Sequence, residues 1–289
     1  MATSSTSSTA RTGEPARGSD LARQITVTAC FVFCIVGSMV GVGVFGGTPV
    51  AESAGGALSA DATYLAPASP AFSIWSVIYT GLGLYTLYQW LPRQRTSPRQ
   101  RSLGWLVAAS LVLNAAWILS VQADSVPLSV AVIVLLLVVL AWLFVRYSAC
   151  RPDSWVEAVV VDGTLGLYLG WVSVATAANT ASLLTSQGFR GFGLPAEAWS
   201  IAVLAAIVLV AVGLAAYGRG RLAPALAIGW GLSWIAVSRV NGGLENTATA
   251  VAAAVAAVLV LLGTAAFRLR SRRGTDSRPA GAARPQTAG

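Results

Sequence analysis

Three stretches of this sequence set aromatic and amide side chains at helical spacing, the arrangement a pocket for a flat apolar molecule requires. Phe72, Trp75, Tyr79 and Gly83 fall within an arc of about 80° at 100° per residue, and Tyr168, Trp171, Ala175 and Asn179 do the same. Asn114 and Trp117 are three residues apart and share a face. Flat apolar walls with few polar groups suit a planar hydrophobic ligand. An amide in an apolar medium needs protein or water as its partner, which turns Asn114 and Asn179 inward. Ordinary aromatic packing between helices would use the same residues, and the spacing alone leaves both uses open.

Other chemistry has fewer carriers. Asp162 is the one acid well inside an apolar block, about 7 Å from its end, where a carboxylate serves a proton or ion path or pairs with a neighbour such as Arg146 or Arg151. Glu157 lies in the first turn of the same helix, where the dipole favours a negative charge. Histidine is absent, which excludes a His-ligated metal, a His-ligated haem iron and a His general base. Cys30, Cys34 and Cys150 are too few and too scattered for a disulfide framework or a zinc site. No nucleophile stands beside a base and no glycine loop fits a phosphate, so no catalytic residue, metal or cofactor is assigned, and a hydrolase or ATPase has no residues to carry it.

The elements that must position these side chains follow from composition. Hydrophobic residues make up 55% of the chain and charged ones 10%, so a chain of 289 residues lacks the polar surface of a soluble domain. The apolar residues form blocks of roughly 20, enough to cross about 30 Å of hydrocarbon, at 25–47, 71–90, 103–122, 126–145, 157–182, 199–217, 222–238 and 246–267. The fold class is therefore all-α, a polytopic membrane helical bundle with eight spans. Every basic residue is arginine. With the N-terminus inside, all of the 19 except Arg190 and Arg239 fall on the cytoplasmic side, the bias that the positive-inside rule predicts for an even number of spans. The net charge of +8 thus reports topology, N-in and C-in in a bacterial-type cytoplasmic membrane, with the bilayer as partner and no nucleic acid.

Residues 1–24 and the basic segment 268–289 cannot bury enough apolar area to order themselves and are expected to be disordered cytoplasmic tails. Two connections are long, 48–70 and 183–198. The first carries Glu52, Asp61, Pro67 and Pro70 and is a candidate lid. The pairs Gly37/Gly41, Gly43/Gly47 and Gly166/Gly170 mark close helix approaches, within the bundle first and in a homodimer second. Among the ten tryptophans, Trp90, Trp105, Trp142, Trp155 and Trp199 sit at span ends, where indole prefers the headgroup region. Trp75, Trp117, Trp171, Trp230 and Trp234 lie inside spans, where the indole N–H needs a partner. Counting rise places Trp75 about 6 Å from the outer surface, and Trp117 and Trp171 about 21 Å from the inner one.

These motifs resemble those of the tryptophan-rich sensory protein family, TspO/MBR, relatives of the mitochondrial translocator protein. Tyr168-Leu169-Gly170-Trp171 through Ala175-Thr176 to Asn179 is similar to the family's P-Y-L-A-W-x-x-F-A-T-x-L-N, Leu113-Asn114-Ala115-Ala116-Trp117 to its L-N-x-x-W, and Trp75, Tyr79 and Gly83 to its V-W-x-x-L-Y-x-x-x-G. The sequence departs at Leu167, where the family has Pro, and its 48–70 loop lacks the W-x-P-P segment of the short members. The resemblance covers residues 25–182, expected to form a TspO-like five-helix bundle, and leaves 183–267 as three additional helices, as in long bacterial forms. It implies binding of a porphyrin or other tetrapyrrole, or of a sterol-like lipid, by a receptor or regulator, with Trp75 and Trp171 in the pocket. A secondary carrier of such compounds and a porphyrin-degrading activity are the alternatives it leaves open.

Overall fold

The computed structural model describes residues 17–41 and 54–276. They form eight helical rods: α1 (Gly18–Gly41), α2 (Ile74–Tyr88), α3 (Pro98–Gln122), α4 (Val126–Ala149), α5 (Trp155–Ser186), α6 (Ala196–Tyr217), α7 (Leu222–Asn241) and α8 (Thr247–Asp276). No strand occurs among the described residues. All the rods except α2 are long and apolar enough to cross a membrane. The exception has 15 residues, about 22 Å of α-helix, and is entered through a 3-10 segment, Ser69–Ser73, that adds about 10 Å. The outward faces carry Leu87, Val138, Leu209 and Leu262 in the open, which is the surface of a protein solvated by lipid.

Neighbouring rods follow one path through the bundle: α1 packs on α3, α3 on α4, α4 on α5, α5 on α7, α7 on α8 and α8 on α6, with α2 set against α1 and α5. Two apolar cores result. The first joins α1 to α5 through Val27, Ile78, Leu111, Leu136 and Leu165. A second joins the far side of α5 to α6, α7 and α8 through Val174, Leu204, Ile228 and Val260. The α5 rod belongs to both, and its glycines explain how. A Cβ on Gly170 would lie 2.9 Å from the Cβ of Ala227, and one on Gly166 would lie 2.7 Å from that of Ala223, so these positions are where α7 seats. Gly37 does the same for α1 against Ala115 of α3. Gly43 and Gly47 lie outside the described residues.

Two boundaries differ from expectation, the first for electrostatic reasons. The α1 rod begins at Gly18 rather than 25, because Asp20, Arg23 and Gln24 are buried and have partners. The carboxylate of Asp20 accepts from Nε and Nη2 of Arg101, each at 2.7 Å. Arg23 donates to the carbonyl of Arg95 at 3.0 Å, and Gln24 to that of Gln89 at 2.6 Å. Segment 18–24 is thus helix and not tail, while 1–16 lies outside the described residues. At the other end α8 continues past 267 to Asp276, and 277–289 lies outside.

The start of α5 is built from a local code. Ser154 accepts the N–H of Glu157 at 3.1 Å, and the Glu157 carboxylate accepts the N–H of Asp153 at 2.8 Å, a reciprocal cap. A π-helical segment, Ala158–Gly163, follows and holds Asp162. Its carboxylate is taken by Arg99 of α3 and by Arg221 at the entry to α7. Arg99 also pairs with Glu157 at 3.0 Å, and both arginines donate to the carbonyl of Tyr147 at 3.3 Å. The expected partners Arg146 and Arg151 are not those of Asp162. Arg146 instead lies over the Trp142 ring at 5.7 Å. Lysine-free sequence offers many arginines near Asp162 in chain order, but the bundle brings closer two that are about 60 residues away.

Candidate functional site: an aromatic cavity under a loop roof

Trp75 is the hub of an aromatic cluster assembled from α2, α3 and α5. Its ring stacks on Tyr79 with centroids 5.1 Å apart and on Trp117 at 6.4 Å, and it meets Tyr168 at 6.0 Å and Trp171 at 6.3 Å edge-on. Phe72 meets Trp171 edge-on at 5.8 Å. Offset-stacked and edge-to-face pairs at these separations are favourable beyond the area they bury. Helical phase set each stripe, and packing of α2, α3 and α5 brings the stripes face to face.

The Asn114 amide is satisfied by two aromatic hydroxyls, and the Asn179 amide by an indole N–H and a backbone carbonyl. Tyr79 donates to Oδ1 of Asn114 at 3.2 Å, Asn114 donates to the Tyr168 hydroxyl at 2.9 Å, and Tyr168 donates to the Ser110 carbonyl at 3.1 Å. This relay fixes all three helices at one depth. Above it, the indole of Trp117 donates to Oδ1 of Asn179 at 3.4 Å, and Asn179 returns its N–H to Ala175 at 2.9 Å.

Between this cluster and the chain at 54–70 lies a cavity of about 40 Å³, room for about three waters. Phe72, Trp117, Trp171, Ala175 and Asn179, five of the nine candidate residues, line it. Trp75, Tyr79, Asn114 and Tyr168 do not line it and form the supporting layer beneath. Sequence reasoning named 48–70, with Pro67, as a candidate lid but did not name Val174 and Ala178 on α5 or the roof residues Ala57, Leu58, Thr63 and Ala66. Ala178, seven residues after Trp171, extends the predicted stripe and was within reach. The roof residues are small or apolar and leave no signature in a loop.

The roof hangs from α5 and α7. Ser182 of α5 donates to the carbonyl of Ala57. From α7, Ser238 and Arg239 both donate to the carbonyl of Ala60, Trp230 donates through its indole to Ala71 at 2.9 Å, and the Trp234 carbonyl accepts the N–H of Ala68 at 3.2 Å. Asp61 accepts the N–H of Gly243 at 2.9 Å. Of the three C-terminal helices, α7 therefore touches the site through its cover. Trp230 and Trp234, which pack edge to face at 5.6 Å, spend their in-span positions on this attachment. Trp90, Trp105, Trp142, Trp155 and Trp199 are all exposed, as span-end tryptophans should be, and Trp230, expected inside its span, is exposed as well.

An apolar outer surface, a bundle of long helices and an aromatic cavity buried among them define the class: an integral, polytopic α-helical membrane protein. The family model described as TSPO-like protein matches residues 24–266, and the chain belongs to that family. The match runs through α6, α7 and α8 as well as the first five rods. No curated protein and no solved structure matches the chain.

Proposed function

We propose that this protein binds a planar hydrophobic ligand, a tetrapyrrole or a sterol-like lipid, in the cavity beneath 54–70 and acts as a membrane receptor or regulator. The observation that supports this reading is the meeting of Phe72, Trp117 and Trp171 as apolar walls on a rigid layer of Trp75, Tyr79, Asn114 and Tyr168. Ligand pockets of this kind occupy roughly 300–1,000 Å³, so the cavity takes its ligand as the roof is displaced. A loop tied by a handful of hydrogen bonds moves more readily than five packed helices. Asp162, the residue that would serve a proton-coupled carrier, is engaged by two guanidinium groups at the arginine-rich end of the bundle, which favours a structural joint there. The proposed orientation is eight spans with both termini cytoplasmic, which puts the roof on the outer side.

The test is a titration of purified, folded protein with protoporphyrin, following tryptophan quenching and the porphyrin absorbance band. Trp171→Ala should weaken binding by about 1–3 kcal/mol, the scale of one lost aromatic partner, Trp75→Ala should weaken it indirectly by loosening the layer that holds Trp117 and Trp171, and Trp142→Ala should leave it unchanged. Equal affinities for wild type, Trp75→Ala and Trp171→Ala would leave an aromatic-packed bundle without a ligand.

A further inference from the structure

The lining of the cavity has an unusual polar inventory. Among the described residues no charged side chain lines it. Two of its walls carry buried polar atoms: Nε1 of Trp171, on a residue 2% exposed, and Oγ1 of Thr63, on a residue 8% exposed. Neither atom has a hydrogen-bond partner among the described residues. The other polar lining group, the Asn179 amide, is occupied by Trp117 and Ala175. A buried donor without a partner costs more than the hydrogen bond it would make, so a ligand group that pairs with it gains in full.

On α7 and the roof, both Nη atoms of Arg239 and the Asp61 carboxylate are committed. Arg239 donates to Ala60, to the Leu244 carbonyl at 2.7 Å and to the Ser238 hydroxyl at 2.7 Å, and Asp61 holds Gly243. A carboxylate carried into the cavity would meet no counter-charge there and would lose its hydration.

Given the reading above that this cavity is a ligand site, we propose that its ligand is uncharged and carries a hydrogen-bond acceptor, a carbonyl, ester or hydroxyl oxygen, that pairs with the indole N–H of Trp171 and the hydroxyl of Thr63. The flat body of the ligand lies against Trp117 and Phe72. Ionised substituents stay outside the roof or are excluded.

Three porphyrins of one ring size separate the terms: protoporphyrin, with two carboxylates; its dimethyl ester, uncharged with ester carbonyls; and etioporphyrin, uncharged with only alkyl groups at its rim. Each is titrated into wild-type protein, Trp171→Phe and Thr63→Val in nanodiscs of one lipid composition. Because every variant is read in the same discs, partition of the porphyrin into lipid cancels when variants are compared. The expected result is that Trp171→Phe and Thr63→Val each weaken the ester by about three- to tenfold more than they weaken etioporphyrin, which senses only the change in apolar wall. Free protoporphyrin should gain affinity as pH is lowered and its carboxylates are neutralised, while the ester should not. Equal weakening of ester and etioporphyrin, or a pH-independent affinity of the free acid equal to that of the ester, overturns the uncharged-acceptor assignment and leaves the aromatic site standing. Failure of all three to bind folded protein removes the site itself, and this assignment with it.

Discussion

Replacing Arg239 with Met keeps most of the side-chain volume on α7 and removes the cation that ties the roof down. Arg239 is 1% exposed, and its guanidinium reaches the Ala60 carbonyl, the Leu244 carbonyl and the Ser238 hydroxyl. A hydrogen bond from a charged donor contributes about 1.5–3 kcal/mol, and the bond to Ala60 is the one that crosses from α7 to the roof. Ser238 retains a weaker bond to the same carbonyl at 3.3 Å, so the net loss of roof stability should be about 2 kcal/mol. That corresponds to roughly thirty-fold faster opening of the segment. The roof contains its own reporters: the amides of Ser59, Ala62 and Ala66 are bonded to Gly56, Ser59 and Thr63, and that of Ala68 to Trp234. Hydrogen exchange followed by mass spectrometry on peptides covering 54–70 should show protection falling by that factor, while peptides from α3 and α4 stay unchanged. Arg146→Met, which alters only an exposed contact with Trp142, is the control. Unchanged protection of 54–70 in folded Arg239→Met protein would refute the claim that α7 holds the roof, and faster ligand association in that variant would extend it.

Three further outcomes are expected. Gly170→Val puts a branched side chain where even a Cβ meets the Pro224 backbone and Ala227, and should destabilise the α5–α7 contact by about 1–3 kcal/mol, read as a lowered unfolding midpoint in detergent. Asp162→Asn leaves Arg99 and Arg221 facing each other without their shared carboxylate and should cost about 3 kcal/mol on the same scale, with Arg221→Met costing less because its guanidinium is more exposed. Reporter fusions after residues 60, 124, 190 and 242 should read extracytoplasmic and those after 97, 150, 220 and 275 cytoplasmic. A cytoplasmic signal at 190 together with an extracytoplasmic C-terminus would end the eight-span topology.

What could be seen in the chain before its structure was whatever the solvent dictates locally. Lipid forces apolar blocks of a set length, and the positions of α3 through α7 follow those blocks to within a few residues. Lipid also sorts indoles: each tryptophan assigned to a span end is exposed, while of those assigned inward Trp117 and Trp171 are buried, Trp75 and Trp234 are half-buried and Trp230 is exposed. Helical phase was enough to predict which residues of α2, α3 and α5 share a face, and the Trp75 hub joins those faces. Long-range pairing of polar groups was beyond that reach. Asp20 extends α1 because Arg101 waits beside it across 81 residues, and Asp162 finds Arg221 rather than its sequence neighbours. The roof is the clearest case. Its residues show no periodicity, and its position depends on carbonyls of Ala57 and Ala60, which every residue possesses and no sequence pattern marks. The attachment points on α7 were visible only as unexplained polar and aromatic residues in a late span. Trp230, Trp234 and Ser238 recur every four residues within an arc of about 80°, and Arg239 follows the last of them, so the C-terminal half of α7 carries most of the attachment. The segment that α7 holds in this way is the cover of the aromatic cavity, so the packing of α7 on α5 and the closure of the cavity are one structural unit.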